Sequence, residues 1–347
     1  QQPQATVMKA KQLPLEDFFR NPEKTSYQIS PGGTYYSFTA PYQDRMNIFI
    51  QKIGSDSATR LTSETDRDIM GYFWPNDQQI LYLKDQGGDE NFRLYGVNAD
   101  GSNPICYTPF DGVRTEILDD LPEFPEFVII GMNKRNPQVF DPYRLNLKTG
   151  DMELLAENPG NIQSWIFDHD GKLRAATAIV DGINSQVLYR ETENDEFVPV
   201  LTTNFKETMS PAFFTFDNKN VYAISNLNRD KAAAVVFDIK NGKEIEVLYE
   251  NKENDIDNIF YSRKRKVLTT ANYYADKRNR HFFDEDTRQL IDRLKKELGQ
   301  YEIGITAITD EEDRMIVRTY SDKSLGSYYL YDRTADKLSK IADVSPW

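Results

Sequence analysis

The chain has 347 residues, is 39% hydrophobic, and carries a formal charge of −13 from 42 Lys and Arg against 55 Asp and Glu. That balance argues against nucleic acid as a partner, because phosphate binding needs clustered cations, and reads instead as a solvated acidic surface. A single cysteine, Cys106, excludes a disulfide framework and a thiolate metal cluster, and no apolar stretch reaches the roughly 18–20 residues of a membrane span.

In chain order, a polar turn runs into a short apolar strand seven times. Pro31-Gly32-Gly33 precedes Tyr36-Ser37-Phe38, Pro75-Asn76-Asp77 precedes Ile80-Leu81-Tyr82-Leu83, and Phe124-Pro125 precedes Phe127-Val128-Ile129-Ile130. The same succession starts strands at Leu173, Val221, Val267 and Met315, so the steps from Tyr36 onward are 44, 47, 46, 48, 46 and 48 residues. A period of about 40–50 residues built from short strands predicts a β-propeller. Helical repeats of that length would space their apolar residues by 3.6, and these segments do not.

Each repeat continues with a polar loop and a second strand that closes on a tight turn, as in Asp100-Gly101 after Leu94-Tyr95-Gly96-Val97 and Asn241-Gly242 after Val236-Phe237-Asp238-Ile239. Such dipeptides supply the positive φ angles of two-residue hairpins. A further strand leaves each turn, at 58–61, 104–107, 152–155, 197–201, 244–249 and 338–341, and a short strand precedes each polar turn, as at 162–167 and 212–216. The expected fold is all-β: a seven-bladed β-propeller of four-stranded blades over residues 26–343, after an extension over 1–25 that reads as loop or short helix, with 344–347 as the start of a linker. The first strand of each blade is expected to line the channel, and no strand is expected to be exchanged between the termini. The 20 Tyr and 20 Phe suit packing between blades.

The sixth unit departs from this pattern. Leu290, Ile291, Leu294 and Leu298 lie on one face of a helix that takes residues otherwise building an outer hairpin. Asp286 with Gln289 resembles a capping box and Gly299 is placed as its stop. The helix is expected to cover a sheet edge or to serve as a docking surface.

Catalytic signatures are sparse. No Gly-x-Ser-x-Gly nucleophile elbow occurs. Of the two histidines, His169 reads as a solvated turn residue, and His281 has no adjacent nucleophile motif. Two distant histidines without a Cys pair argue against zinc, and neither a calcium loop nor a Gly-rich phosphate motif is present. Cys106, inside Ile105-Cys106-Tyr107, reads as a buried small hydrophobe. No cofactor is expected. The start at Gln1, polar and without an apolar signal core, suits either a mature periplasmic or secreted protein or an internal piece of a longer chain, a cytoplasmic location being the alternative.

Three strings resemble a known family. Pro14 through Glu23 followed by Ile29-Ser30-Pro31-Gly32-Gly33-Thr34-Tyr35, then Asp85-Gln86-Gly87-Gly88-Asp89-Glu90-Asn91-Phe92-Arg93-Leu94-Tyr95, then Tyr320 through Asp332, are similar to the N-terminal propeller of the prolyl oligopeptidase family in its acylaminoacyl- and dipeptidyl-peptidase-like branch. The resemblance implies a non-catalytic, substrate-gating half of a serine peptidase acting on short peptides, whose partners are its own C-terminal α/β-hydrolase domain and the peptide, with neither nucleic acid nor membrane. The Ser, Asp and His of that domain have no counterpart here, so the chain alone is expected to be inactive. Alternatives are a stand-alone protein-binding propeller of the Tol-system type and a propeller enzyme with its own central site. Loops joining second and third strands, at 40–46, 85–91, 133–143, 181–185, 226–231, 276–280 and 322–326, form one rim of the disc, which is the expected functional face. On it, Asp89 and Glu90, with Asn91 beside them, are candidates for a substrate amino group or an interdomain arginine, and Arg278 and Arg280 for carboxylates.

Overall fold

A computed structural model of the chain describes residues 12–346. The helix α1 (Glu16–Phe19) precedes seven sheets in chain order. Blade 1 is β1 (Thr25–Ile29), β2 (Tyr35–Tyr42), β3 (Arg45–Lys52) and β4 (Ala58–Arg60); blade 2 is β5 (Gly71–Phe73), β6 (Gln79–Lys84), β7 (Arg93–Asn98) and β8 (Ile105–Cys106). Blade 3 is β9 (Thr115–Asp119), β10 (Phe127–Met132), β11 (Asp141–Asn146) and β12 (Met152–Leu154); blade 4 is β13 (Ile162–Phe167), β14 (Leu173–Val180), β15 (Asn184–Tyr189) and β16 (Val198–Thr203). Blade 5 is β17 (Met209–Phe214), β18 (Val221–Ser225), β19 (Ala233–Asp238) and β20 (Lys243–Tyr249). Blade 6 has only β21 (Ile256–Ser262), β22 (Val267–Tyr274) and β23 (Arg278–Phe282), followed by α2 (Glu285–Leu298) where its fourth strand would stand. Blade 7 is β24 (Glu302–Ile308), β25 (Arg314–Tyr320), β26 (Ser327–Asp332) and β27 (Lys337–Asp343).

Every blade is a sequential antiparallel meander with its first strand innermost, since β1 meets β24 and β13 meets β17 around the channel. Among the described residues no strand is exchanged between the ends; residues 9–11, where such a strand would begin, lie outside them. Among the described residues, blades 1 and 7 meet through packed side chains and a few hydrogen bonds. Tyr27, Phe38, Ile316, Tyr328 and Val344 form one apolar cluster across the seam, with the Tyr27 and Tyr328 rings 4.8 Å apart. A β-bulge in β1 puts Ser26 at φ +54, and its backbone is held from both neighbours. Ser26 N donates to Tyr328 Oη (3.3 Å), and Tyr72 Oη donates to Ser26 O (2.6 Å). At the edge of the seam Asp310 N donates to Pro31 O (2.8 Å) and Arg314 Nη1 to Gly33 O (2.9 Å).

One apolar cluster fills each seam between blades, for instance Leu81, Leu94, Val128 and Ile130 between blades 2 and 3, and Val187, Phe214, Ala223 and Phe237 between blades 4 and 5. Burying each Leu, Ile, Val or Phe among them contributes about 1.5–3 kcal/mol. The 6–7 seam is built differently: Leu294 and Leu298 of α2 pack on Ile303, Met315, Val317 and Tyr331 of blade 7. The helix thus closes a seam rather than merely shielding an edge. Its N-cap is Asp284, not Asp286: the Asp284 carboxylate accepts from Thr287 N (2.9 Å) and Thr287 Oγ1 (2.6 Å) and is gripped by Arg265 (2.8 and 2.7 Å). Gly299 does stand at the C-cap, in a right-handed conformation. Only the outer strand of blade 6 is replaced, because β23 forms.

Candidate functional site

A meander of consecutive strands sends the second-to-third connections and the blade-to-blade connections to one face, and the remaining turns to the other. β1 enters and β27 leaves on the first of these, the upper rim. Three of its expected loops are shorter than the sequence suggested. β2 runs to Tyr42 and β3 resumes at Arg45, so the connection is a two-residue hairpin of Gln43 and Asp44, both at positive φ (+47 and +62). The connections at 181–183 and 275–277 are as tight, and Arg278 and Arg280 are strand residues of β23 rather than loop residues. The rim carries large exposed apolar side chains: Met70, Ile183, Phe205, Tyr274 and Leu325, each more than half exposed.

Blade 2 holds an acidic loop of this rim at 85–92. Gly87, Gly88 and Glu90 all have positive φ (+59, +83 and +57), which lets residues 85–92 double back. Buried Asp85 anchors it, accepting from Arg67 Nε (3.0 Å) and from Glu90 N (3.2 Å). Burial works to raise that carboxyl, but the Arg67 and Glu90 hydrogen bonds outweigh it and hold it below the usual carboxylate range. Asp89, itself exposed, bonds within the loop, accepting from Gln86 N (3.3 Å), Asn91 N (3.0 Å) and Asn91 Nδ2 (3.4 Å). Glu90 is exposed, and its carboxylate has no partner among the described residues. Asp89 and Asn91 therefore shape the turn, and Glu90 is the residue it presents.

Arg278 and Arg280 stand on blade 6, with blades 7 and 1 between them and blade 2 on the shorter way round the ring. The structure does not bring the acidic and basic candidates together. Both arginines face blade 7, where each donates an Nη2 to Ile303 O at 2.5 Å.

The lower face contains a site that no motif announced. Its turns are linked from blade to blade: Gly32 N to Asp77 (2.7 Å), Asn76 to Pro125 O (3.1 Å), His169 N to Asn218 (2.9 Å), Ser262 to Glu312 (2.6 Å). From this ring Arg263 of blade 6 reaches Glu123 of blade 3 (3.4 Å) and also pairs with Asp310 of blade 7. Blades 3 and 6 are not neighbours, so this ion pair crosses the channel mouth. Asp119 and Asp120 lie beside it, and burial pushes both carboxyls up; the charge of Asp120 adds to this at Asp119, while Arg263 opposes it at Asp120. A cavity of about 690 Å³ with Trp74, Asp120, Glu123, Arg263 and Asp310 in its walls occupies this mouth.

His169 is not simply solvated: its Nε2 is 2.8 Å from Phe214 O, and its ring stacks on Phe216 and meets the Tyr261 edge. His281 stacks face to face on Tyr249 (3.9 Å between centroids), and burial holds its imidazole below the usual value. Cys106 is a half-buried free thiol, raised by burial. Among the described residues no group of three or more His, Cys, Asp or Glu could hold a metal, and no helix is long and apolar enough to cross a membrane.

No family model matches the chain. Dipeptidyl aminopeptidase BIII of Pseudoxanthomonas mexicana is 30% identical over 338 residues, covering 94% of this chain and 48% of that protein. Dipeptidyl peptidase family member 6 of Caenorhabditis elegans is 25% identical over 354 residues, covering 96% and 47%. The chain thus spans about half the length of the curated relatives it matches. Among solved structures a puromycin hydrolase superposes with a TM-score of 0.63 at 13% identity, over 97% of this chain and 56% of that one. One of two prolyl endopeptidases studied for inter-domain dynamics superposes with a TM-score of 0.61 at 11% identity, over 95% and 51%. At such identities the superpositions speak for the fold alone. The seven blades, and the dipeptidyl-peptidase relatives aligned along nearly the whole chain, agree with the N-terminal β-propeller of the prolyl oligopeptidase family.

Proposed function

We propose that the chain is the non-catalytic, substrate-selecting part of a serine peptidase that hydrolyses short peptides, its upper rim meeting a catalytic domain of the α/β-hydrolase type. The observation that carries this reading is the contrast between the two faces. The lower face is locked by turn-to-turn hydrogen bonds and crossed by Arg263 and Glu123, whereas the upper rim leaves Met70, Ile183, Phe205 and Leu325 exposed. Exposed apolar side chains gathered on one face mark an interaction surface. The ends of the ring, β1 and β27, lie on the same rim.

In this reading Glu90 takes the cationic group, either a peptide's amino terminus or an arginine of the catalytic domain, since it is exposed and unpartnered while Asp89 is spent on the turn. In the full-length peptidase, Glu90→Ala should lower kcat/KM for dipeptidyl substrates about tenfold, which corresponds to about 1.4 kcal/mol, with an unchanged melting temperature. Asp89→Ala should lower stability as well, because it frees the turn. A Glu90 variant with wild-type kcat/KM and wild-type domain association would remove the rim from the mechanism.

A further inference from the structure

The 6–7 seam contains a cavity of about 370 Å³, within the size range of small-ligand sites. Its origin is geometric. A helix packed on blade 7 stands where a strand would have lain against β23, and a helix is roughly twice as wide as the 4.8 Å spacing of strands. Phe260 of β21 and Ile308 of β24, both exposed on innermost strands, line it, so it opens toward the channel.

Its polar lining is divided. Toward the lower face the charges are neutralised among themselves: Arg265 with Asp284, Arg333 with Asp286, and Arg263 with Asp310. Toward the upper rim they are not. Arg278 and Arg280, two apart on one face of β23, form no ion pair among the described residues and share one neutral acceptor, Ile303 O. Glu302 acts on Arg280 from a distance without pairing with it. The Nε of Arg278 is buried and without a partner. Asn272 is the cross-strand neighbour of Arg280, is only 8% exposed, and its Oδ1 is likewise buried and unpartnered. In a chain of charge −13, two adjacent guanidiniums with no paired carboxylate among the described residues are suited to an anion.

We propose that this pocket binds the C-terminal residue of a peptide. Its carboxylate lies on the forks of Arg278 and Arg280, its N–H donates to Asn272 Oδ1, and its apolar side chain packs against Leu290, Ile291 and Ile305. Paired guanidiniums match a planar carboxylate, whereas the lone amide acceptor requires a donor next to it, and a C-terminal residue offers both. The inference deepens the peptide reading above, but it is tested by binding rather than by turnover, so either can fail without the other.

The test is calorimetric titration of the chain with N-acetyl-leucine, N-acetyl-leucinamide, 4-methylpentanoate and inorganic phosphate. N-acetyl-leucine should bind with Kd below about 1 mM and its amide at least about tenfold more weakly. Arg278→Gln with Arg280→Gln should abolish binding. Since that pair also anchors β24 through Ile303 O, Asn272→Leu serves as a second variant: it should weaken N-acetyl-leucine and leave 4-methylpentanoate, which lacks the N–H, unaffected. Equal binding of acid and amide, no binding up to about 10 mM, equally tight phosphate, or an Asn272→Leu effect common to both carboxylates would each overturn the assignment.

Discussion

Asp284 is the point at which α2, and with it one wall of the 6–7 pocket, is tied to the propeller. Replacing it separates two contributions. As N-cap it satisfies Thr287 N, a role worth about 1 kcal/mol. As an anion it holds Arg265 through two hydrogen bonds; with Arg265 about a third exposed, and with Asp286 (3.5 Å) and Glu312 (3.7 Å) still near that guanidinium, the loss is about 1 kcal/mol rather than that of a buried pair. Asp284→Ala should therefore cost about 2 kcal/mol, and Asp284→Asn, which keeps the cap and removes the charge, about 1 kcal/mol. For a cooperative unit of 347 residues the unfolding entropy is about 0.7 kcal/mol/K, so the expected falls in Tm are about 3 °C and about 1.5 °C. Arg265, foremost, and the Thr287 bonds hold the Asp284 carboxyl well below its ordinary range against the opposing effect of burial. A carboxyl depressed in the folded state stabilises at pH above its unfolded value, about 3.9, and loses that contribution as pH falls further. The gap between wild type and Asp284→Asn should accordingly be full at pH 6 and narrower at about pH 3. Differential scanning calorimetry at both pH values decides. Equal Tm values for all three proteins, or a gap that widens in acid, would refute the reasoning.

Two further predictions concern the ring. Phe38→Ala in the 7–1 seam should cost about 3–5 kcal/mol, or roughly 4–7 °C, whereas Tyr328→Phe, which removes the hydroxyl that meets Ser26 N and Thr25 Oγ1, should cost about 1 kcal/mol; denaturant titration reads both, and equal effects would deny that apolar packing closes the ring. Arg263→Ala should destabilise by about 1–2 kcal/mol at pH 8 and by less at pH 5. The sign follows from Asp120, whose carboxyl is raised by burial against Arg263: its charged form is a liability above that raised value, worsened without Arg263, and relieved as protons bind. A loss equal at both pH values would show that Arg263 acts only through Glu123 and Asp310.

The repeat was legible because propeller strands are short, apolar and preceded by turn residues, so Ile80, Phe127, Leu173 and Val221 fall inside the second strands of their blades. Strand ends were less so. Pro41 and Tyr42 read as loop, yet Gln43 and Asp44 take positive φ and let β2 and β3 pair to their tips. The helix face over Leu290, Ile291, Leu294 and Leu298 was visible, but its cap was displaced by two residues. Three acids in succession, Asp284, Glu285 and Asp286, all suit a helix start, and the choice among them falls to Arg265, a contact that local spacing does not contain.

The same limit governs the functional residues. Asp89, Glu90 and Asn91 read as one motif, and only the folded loop separates them, since Asp89 and Asn91 bond to one another while the Glu90 carboxylate has no partner among the described residues. Arg263 and Glu123 carry no motif at all; they matter because the ring brings blades 3 and 6 across one mouth. For Arg278 and Arg280 the sequence did hold a signal, in the break of the repeat itself. Where other blades close with a fourth strand, the sixth supplies a helix that belongs to its neighbour's core, and the width of that helix leaves the cavity in which two arginines have no paired carboxylate among the described residues. Departures from an otherwise consistent pattern are where function is to be sought. Here the departure and the unmet charge arise from one substitution of a helix for a strand.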